Sequence, residues 1–264
     1  MSEQLQSDFD KIVKNSKFSN KEIQLKKDFL NKFIESGFPN RKQEDWKFLD
    51  ISQIIKKNIS DLSYFIDYSQ SNKIDPSTFV DGLEHNKIIF LNGRIEKIDF
   101  NHEDQNKIEI SDETKKDISF DYENSLIDLN SAFTDKVFKI LVKKNYSLKK
   151  PLIIYHSTND SIKSTNINLR LDFELGENSC LKLIDYFTNN TTKNFINIFY
   201  NFNLEKDSIL KNYKIDKFRN DNLTYSFNNI EQGNNSVSET FILSAGSDYL
   251  KNEINCNLNG EYSS

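Results

Sequence analysis

The stretch NINLRLDFELGENSCLKLIDYF, Asn166 to Phe187, decides the fold class. Ile167, Leu169, Leu171 and Phe173 alternate with Asn168, Arg170, Asp172 and Glu174. A period of two is that of a β-strand, and this one reads as half-buried, with one face in the core and one in water. Gly176–Asn178 then turns the chain into a second apolar run, Cys180–Phe187. The pattern returns downstream. Ile196, Ile198, Tyr200 and Phe202 share a face in NFINIFYNFNL, and Ile254, Cys256 and Leu258 share one in NEINCNLNG.

From about residue 124 onward, strand-length segments follow one another at intervals of roughly 10–12 residues, with no helix long enough for a crossover. That excludes a doubly wound sheet. A sandwich, a barrel and a β-solenoid all remain. No strict short repeat of the hexapeptide kind is present, but an irregular β-helix tolerates turns of varying length.

Upstream the period changes. Leu5, Phe9, Ile12 and Val13 recur at helical spacing. Ser19 and Glu22 predict a capping box for a second helix, whose apolar face is Ile23, Phe29, Leu30, Phe33 and Ile34. Gly37 and Pro39 stop it. Leu49, Ile51, Ile54 and Ile55 predict a short third helix. In KIIFLNGRIEKIDF, Asn92-Gly93 between two apolar-rich runs predicts a β-hairpin with a type I′ turn. The acidic, polar segment Asn101–Asp121 reads as a loop or linker. The expected organisation is a helical region (1–60), a mixed region with the hairpin and the polar linker (61–123), and a β-core (124–264).

With 40 acidic and 35 basic residues the net charge is -5, spread without any basic block, which speaks against a nucleic-acid partner. Aromatic residues reach 12%, mostly 21 Phe and 11 Tyr, which argues for a folded chain. No apolar run approaches the roughly 18 residues of a membrane span. The opening MSEQLQSDFDKIV lacks the order of a signal peptide, so a cytoplasmic protein without a membrane partner is expected.

Chemistry-bearing motifs are sparse. No P-loop, Gly-x-Gly-x-x-Gly, His-Glu-x-x-His or Gly-x-Ser-x-Gly occurs. His85 and His102 lie in polar contexts and read as surface residues. His156 shares a strand face with Leu152 and Ile154 and reads as a packed strand-end histidine. Cys256 is in phase with Ile254 and Leu258, hence a core thiol, whereas Cys180 adjoins a turn. Asp172 and Glu174 fall on the solvated side of their strand, where a glycosidase-like pair lacks a cleft. No catalytic, cofactor-binding or metal residue is assigned.

The segment Gly37–Phe48 then adds a resemblance. Gly37, Pro39, Arg41, Glu44, Trp46, Lys47 and Phe48 meet every position of Gly-x-Pro-x-Arg-x-x-Glu-x-Trp-[Lys/Arg]-[Tyr/Phe]. That element resembles one found after the N-terminal helices in the SufD family of iron–sulfur cluster assembly proteins. IIFLNGRIE, LNSAF, LDFELGENSCLKLIDYF and LKNEINCNLNGE resemble later segments of the same family, in the same order. Phe48 departs from the usual Tyr, and Leu49 from a common Thr. The paralogous SufB proteins share the β segments but usually not the tryptophan element.

The resemblance implies a mainly β fold with an α-helical N-terminal region: an irregular right-handed parallel β-helix, or solenoid. It implies a non-catalytic subunit of the SufB–SufC–SufD scaffold, with SufB and the ABC-type ATPase SufC as partners in a hetero-oligomer, or a homodimer in isolation. No cofactor is expected in this chain, and the Fe–S cluster would form transiently on the complex through SufB. Family members run longer, so the resemblance covers an N-terminal portion, with the solenoid truncated at its C-terminal end. The SufC-binding helices and a histidine and cysteine near the SufB contact would lie beyond it. Trp46, Phe48 and Leu49 are expected to pin the helical region. The alternatives are a β-helix enzyme acting on polysaccharide through Asp172 and Glu174, and a β-solenoid interaction module.

Overall fold

A computed structural model describes residues 2–59, 61–68, 79–113, 123–188, 193–216, 220–245 and 247–264. The alternating segments pair in parallel with their successors rather than folding into hairpins, and this makes the protein a solenoid of about four turns. Each turn gives one strand to each of two sheets. One sheet runs β11 (Val237–Ser244), β9 (Ile209–Asp216), β7 (Cys180–Phe187), β5 (Leu152–Ser157), β1 (Asn86–Leu91), β2 (Arg94–Asp99). The other runs β12 (Ser247–Leu258), β10 (Asn220–Gln232), β8 (Phe195–Leu204), β6 (Asn166–Leu175), β4 (Val137–Val142), β3 (Ile108–Glu113). The pairs β1–β2 and β3–β4 are antiparallel and close the first turn.

The β1–β2 turn is the predicted hairpin. Asn92 and Gly93 take φ of 53° and 84°, the positive pair a type I′ turn needs. Strand β3 forms inside the segment expected to be a loop; its Ile108 is buried in the core, and this strand closes the lower edge of its sheet. The rest of that segment, 114–121, lies outside the described residues.

The solenoid has a repeat that apolar spacing did not reveal. Asn178, Asp207, Asn235 and Tyr262 all take φ near the left-handed region, 56–58°, and each precedes a serine. They recur about every 28 residues, a period typical of solenoid turns. The turns stack through their backbones: the amide of Asn178 donates to Lys206 O, that of Asp207 to Asn234 O and that of Asn235 to Glu261 O, each at 2.9 Å. Approach is so close that a Cβ on Gly176 would meet the Lys144 backbone at 2.7 Å. Only glycine fits there.

Side chains facing inward form the main core, from Ile88 and Phe90 at one end to Ile230 at the other. The outer face of the β6–β8–β10 sheet is covered by helices α1 (Ser2–Asn15), α2 (Asn20–Ser36), α3 (Ile51–Asn58) and α4 (Ser125–Phe133). Helices α1 to α3 occupy the predicted stretches, and α2 carries the Ser19/Glu22 capping box. Helix α4 was missed because it is buried nearly all round, which erases the one-sided stripe that marks a surface helix. Among the described residues no helix is long and apolar enough to cross a membrane.

Two expectations are corrected. Asp172, expected in water, is only 4% exposed because helices cover that face of β6; Glu174 is half-buried and paired with Lys139 at 2.6 Å. Cys256, expected in the core, is exposed with Ile254 and Leu258. Its strand is the edge of its sheet, paired among the described residues with β10. Both cysteines are free thiols.

Trp46 is buried against Tyr225 on the outer sheet face, ring centroids 5.8 Å apart, with Lys251 Nζ 4.0 Å above its ring. Leu49 packs beside it, but Phe48 is 86% exposed and pins nothing. Replacing Trp46 with Ala is expected to lower the unfolding free energy by about 3–5 kcal/mol. Phe48→Ala should stay within about 0.5 kcal/mol. Denaturant titrations of the two variants separate the anchor from its neighbour.

Candidate functional site

The ionisable residues that the structure brings together sit inside the solenoid. His156 lies next to the end of β5, Asp185 on β7, Tyr200 on β8, Lys214 on β9 and Ser226 on β10, and all five are buried. Strand register sets the arrangement. Ile154, Asp185 and Lys214 are lateral partners on adjacent strands, so the carboxylate and the ammonium occupy consecutive rungs of one inward ladder.

A carboxylate only accepts hydrogen bonds, so its three partners must donate. His156 donates from Nε2 to Asp185 Oδ1 at 2.5 Å, which assigns the proton to that nitrogen. Asp185 Oδ2 receives the Tyr200 hydroxyl and Lys214 Nζ, the latter at 2.8 Å. Lys214 also donates to Ser226 Oγ at 3.3 Å and lies 3.7 Å over the Tyr200 ring. The imidazole is stacked against Phe187 (4.7 Å) and Phe90 (5.8 Å).

Burial alone would push Asp185 toward its neutral form, but the Lys214 ammonium and the His156 hydrogen bond overcome it. Its pKa falls well below the ordinary carboxylate range. Burial draws Lys214 downward against the pull of Asp185, and drives the Tyr200 phenol far upward with the adjacent anion adding to it. The cluster therefore holds an anion and a cation out of water, bridged by donated hydrogen bonds.

The other sequence candidates lie elsewhere. His85 is buried rather than on the surface: Nε2 meets the Tyr155 hydroxyl at 2.8 Å and Nδ1 meets Leu83 O at 2.5 Å, with burial lowering its pKa. His102 is exposed. His156 is the packed strand-end residue its phase predicted. Cys180 is half-buried near its turn, and burial pushes its thiol up. Sequence reasoning missed Asp185 and Lys214. The available signal was two charged residues standing at positions in phase with Leu181, Leu183 and Leu210.

A second feature is a cleft of about 210 Å³ between the helical layer and the solenoid, lined in part by Tyr64, Tyr68, Arg94, Phe133 and Asp135. Arg94 stacks 3.4 Å from the Tyr68 ring centroid and pairs with Asp135 at 2.5 Å. Among the described residues no three His, Cys, Asp or Glu side chains converge as a metal-ligand set.

Residues 155–264 match the family described as SUF system FeS cluster assembly, SufBD core domain. That part of the chain is similar to a SufBD core domain. The matched segment runs from the end of β5 through β12 and contains all five residues of the buried cluster. The match links the chain to iron–sulfur cluster assembly and agrees with the resemblance read from its motifs. No curated protein matches the chain.

Within the matched segment, Asp185→Asn leaves Lys214 buried without its counter-ion and is expected to destabilise by about 3–5 kcal/mol. The double variant Asp185→Leu/Lys214→Met should recover most of that loss, because an apolar pair of similar size replaces a buried ion pair at little net change. The depressed pKa of Asp185 means that its contribution is present above the ordinary carboxylate pKa and is lost as pH falls through the lower, folded value.

In the helical layer, Lys26 donates to Ser131 O at 3.0 Å and Thr134 O at 2.5 Å near the end of α4, and burial lowers its pKa from 10.5 to about 8. Folding disfavours its proton, so wild type should gain stability relative to Lys26→Met as pH rises from about 8 toward about 10.5. Denaturation midpoints across that range check the sign.

Proposed function

We propose that this chain is a SufD-type, non-catalytic subunit of a SufB–SufC–SufD scaffold, acting in the cytoplasm. The match at 155–264 to a SufBD core carries the reading. Two further observations support it. The Trp46 element that distinguishes SufD-like from SufB-like sequences is seated on the outer face of that core through Tyr225. The clustered ionisable groups of the interior neutralise one another and are only 0–7% exposed, which leaves no open face for a substrate to approach.

In this reading SufC hydrolyses ATP, and the Fe–S cluster is cargo of the assembled complex rather than a resident group of this chain. A polysaccharide-cleaving role is not favoured. The Asp172 carboxylate lies beneath the helical layer, within 3.5 Å of Arg170 Nε, and cannot flank a glycan.

Co-expression with SufB and SufC homologues, followed by affinity capture and size-exclusion chromatography, tests the proposal. A complex containing all three chains is expected. Association with neither homologue, or polysaccharide cleavage lost on Asp172→Ala, would overturn it.

A further inference from the structure

The lumen of the solenoid changes character between two consecutive layers. In the β7/β8 layer the inward residues are Leu181, Leu183, Asp185 and Phe187 facing Ile196, Ile198, Tyr200 and Phe202. One turn on, strand register stacks Asn212 on Leu183, Asp216 on Phe187, Thr224 on Ile196, Ser226 on Ile198 and Asn228 on Tyr200. All five of these replacements are buried, between 1% and 4% exposed.

Two consequences follow from elementary packing. Neighbouring strands keep a fixed spacing of about 4.7–4.9 Å, so each layer has nearly the same room for side chains. Phenylalanine gives way to aspartate, tyrosine to asparagine and isoleucine to serine, while only the step from Asp185 to Lys214 adds bulk. Side chains alone therefore fill this layer less completely than the one beneath it.

The second consequence concerns hydrogen bonds. Asn212 Oδ1, Asn228 Oδ1 and Thr224 Oγ1 are buried and have no hydrogen-bond partner among the described residues. Buried oxygens are rarely left unmade, since each costs about 1–3 kcal/mol of lost hydration. Asn228 Nδ2 already donates to Ser226 Oγ and to Glu253 O, so turning the amide would only exchange one orphan for two. Two of the three atoms are pure acceptors and the third accepts equally well. The missing guest must donate hydrogen bonds. It must also be small, and it must sit beside the Lys214 ammonium, which disfavours a second cation.

We propose that the layer between β9 and β10 is an internal water site, in which ordered water donates to Asn212 Oδ1, Asn228 Oδ1 and Thr224 Oγ1. A water occupies about 30 Å³ and makes two to four hydrogen bonds when buried, which suits this polar, under-filled layer. The site adjoins the Asp185–Lys214 pair and gives that pair a polar neighbour on one side and an apolar floor on the other.

Two measurements on the full chain test this. The first is water–amide cross-relaxation by NMR, with signals expected at backbone amides of Asn212, Thr224 and Asn228 and absent from Leu183, Ile196 and Ile198 of the layer beneath. The second is Thr224→Val, which keeps the shape and removes the hydroxyl. With water present the change removes a satisfied hydrogen bond, and the melting temperature should fall by about 2–4 °C. In a dry layer it removes an orphan, and the melting temperature should rise. A rise, or the absence of the cross-relaxation signals, overturns the proposal. So does a melting temperature that depends on whether potassium or sodium is supplied at equal ionic strength, because a bound metal cation would then hold the site.

Discussion

Parallel stacking of successive turns is the constraint on which the rest of this structure depends. Strand register places every inward side chain directly over its counterpart one turn earlier, at a spacing set by backbone hydrogen bonds. Such a ladder accepts like on like easily: Phe173 stacks on Phe202 at 4.8 Å, with Ile167 beside Ile196 and Leu175 beside Leu204. A charge on one rung must be answered on the next rung or from the facing sheet. Asp185 meets both demands, with Lys214 above it and His156 and Tyr200 alongside.

The same stacking organises the exterior. On the outer face of the β8–β10–β12 sheet, Asn201, Asn229 and Asn255 lie in register, and their amides hand hydrogen bonds along the row at 3.0 and 2.9 Å. Across the first part of that face the helical layer replaces solvent. This is why Arg170 is buried against Phe199 and Trp46 against Tyr225, in positions that a strand-by-strand reading assigns to water. An amphipathic strand announces its core side; what covers the other side depends on segments distant in sequence.

The cluster of His156, Asp185, Tyr200 and Lys214 therefore reads as part of the frame of the solenoid. Its groups satisfy one another, and a buried ion pair that is fully hydrogen-bonded does more to define one arrangement than to add net stability. That role suits a subunit whose proposed task is to hold partners.

The sequence by itself determined the local elements. Ser19 and Glu22 start α2, Asn92-Gly93 makes the hairpin, and the period of two marks β6, β8 and β12, because caps, turns and pleats are interactions between residues close along the chain. The motif at Gly37–Phe48 pointed to the family for the same reason. Periodicity by itself left a sandwich, a barrel and a solenoid open, and only the family resemblance implied the solenoid. Tertiary structure shows why: strands about 28 residues apart pair in parallel, and the turn repeat that signals them is written in left-handed Asn, Asp and Tyr positions rather than in apolar spacing. Helix α4 hid because burial on all sides leaves no periodic stripe. Asp185 and Lys214 were each legible as a charge in an apolar phase, but their pairing exists only because one turn of the solenoid lies on the next.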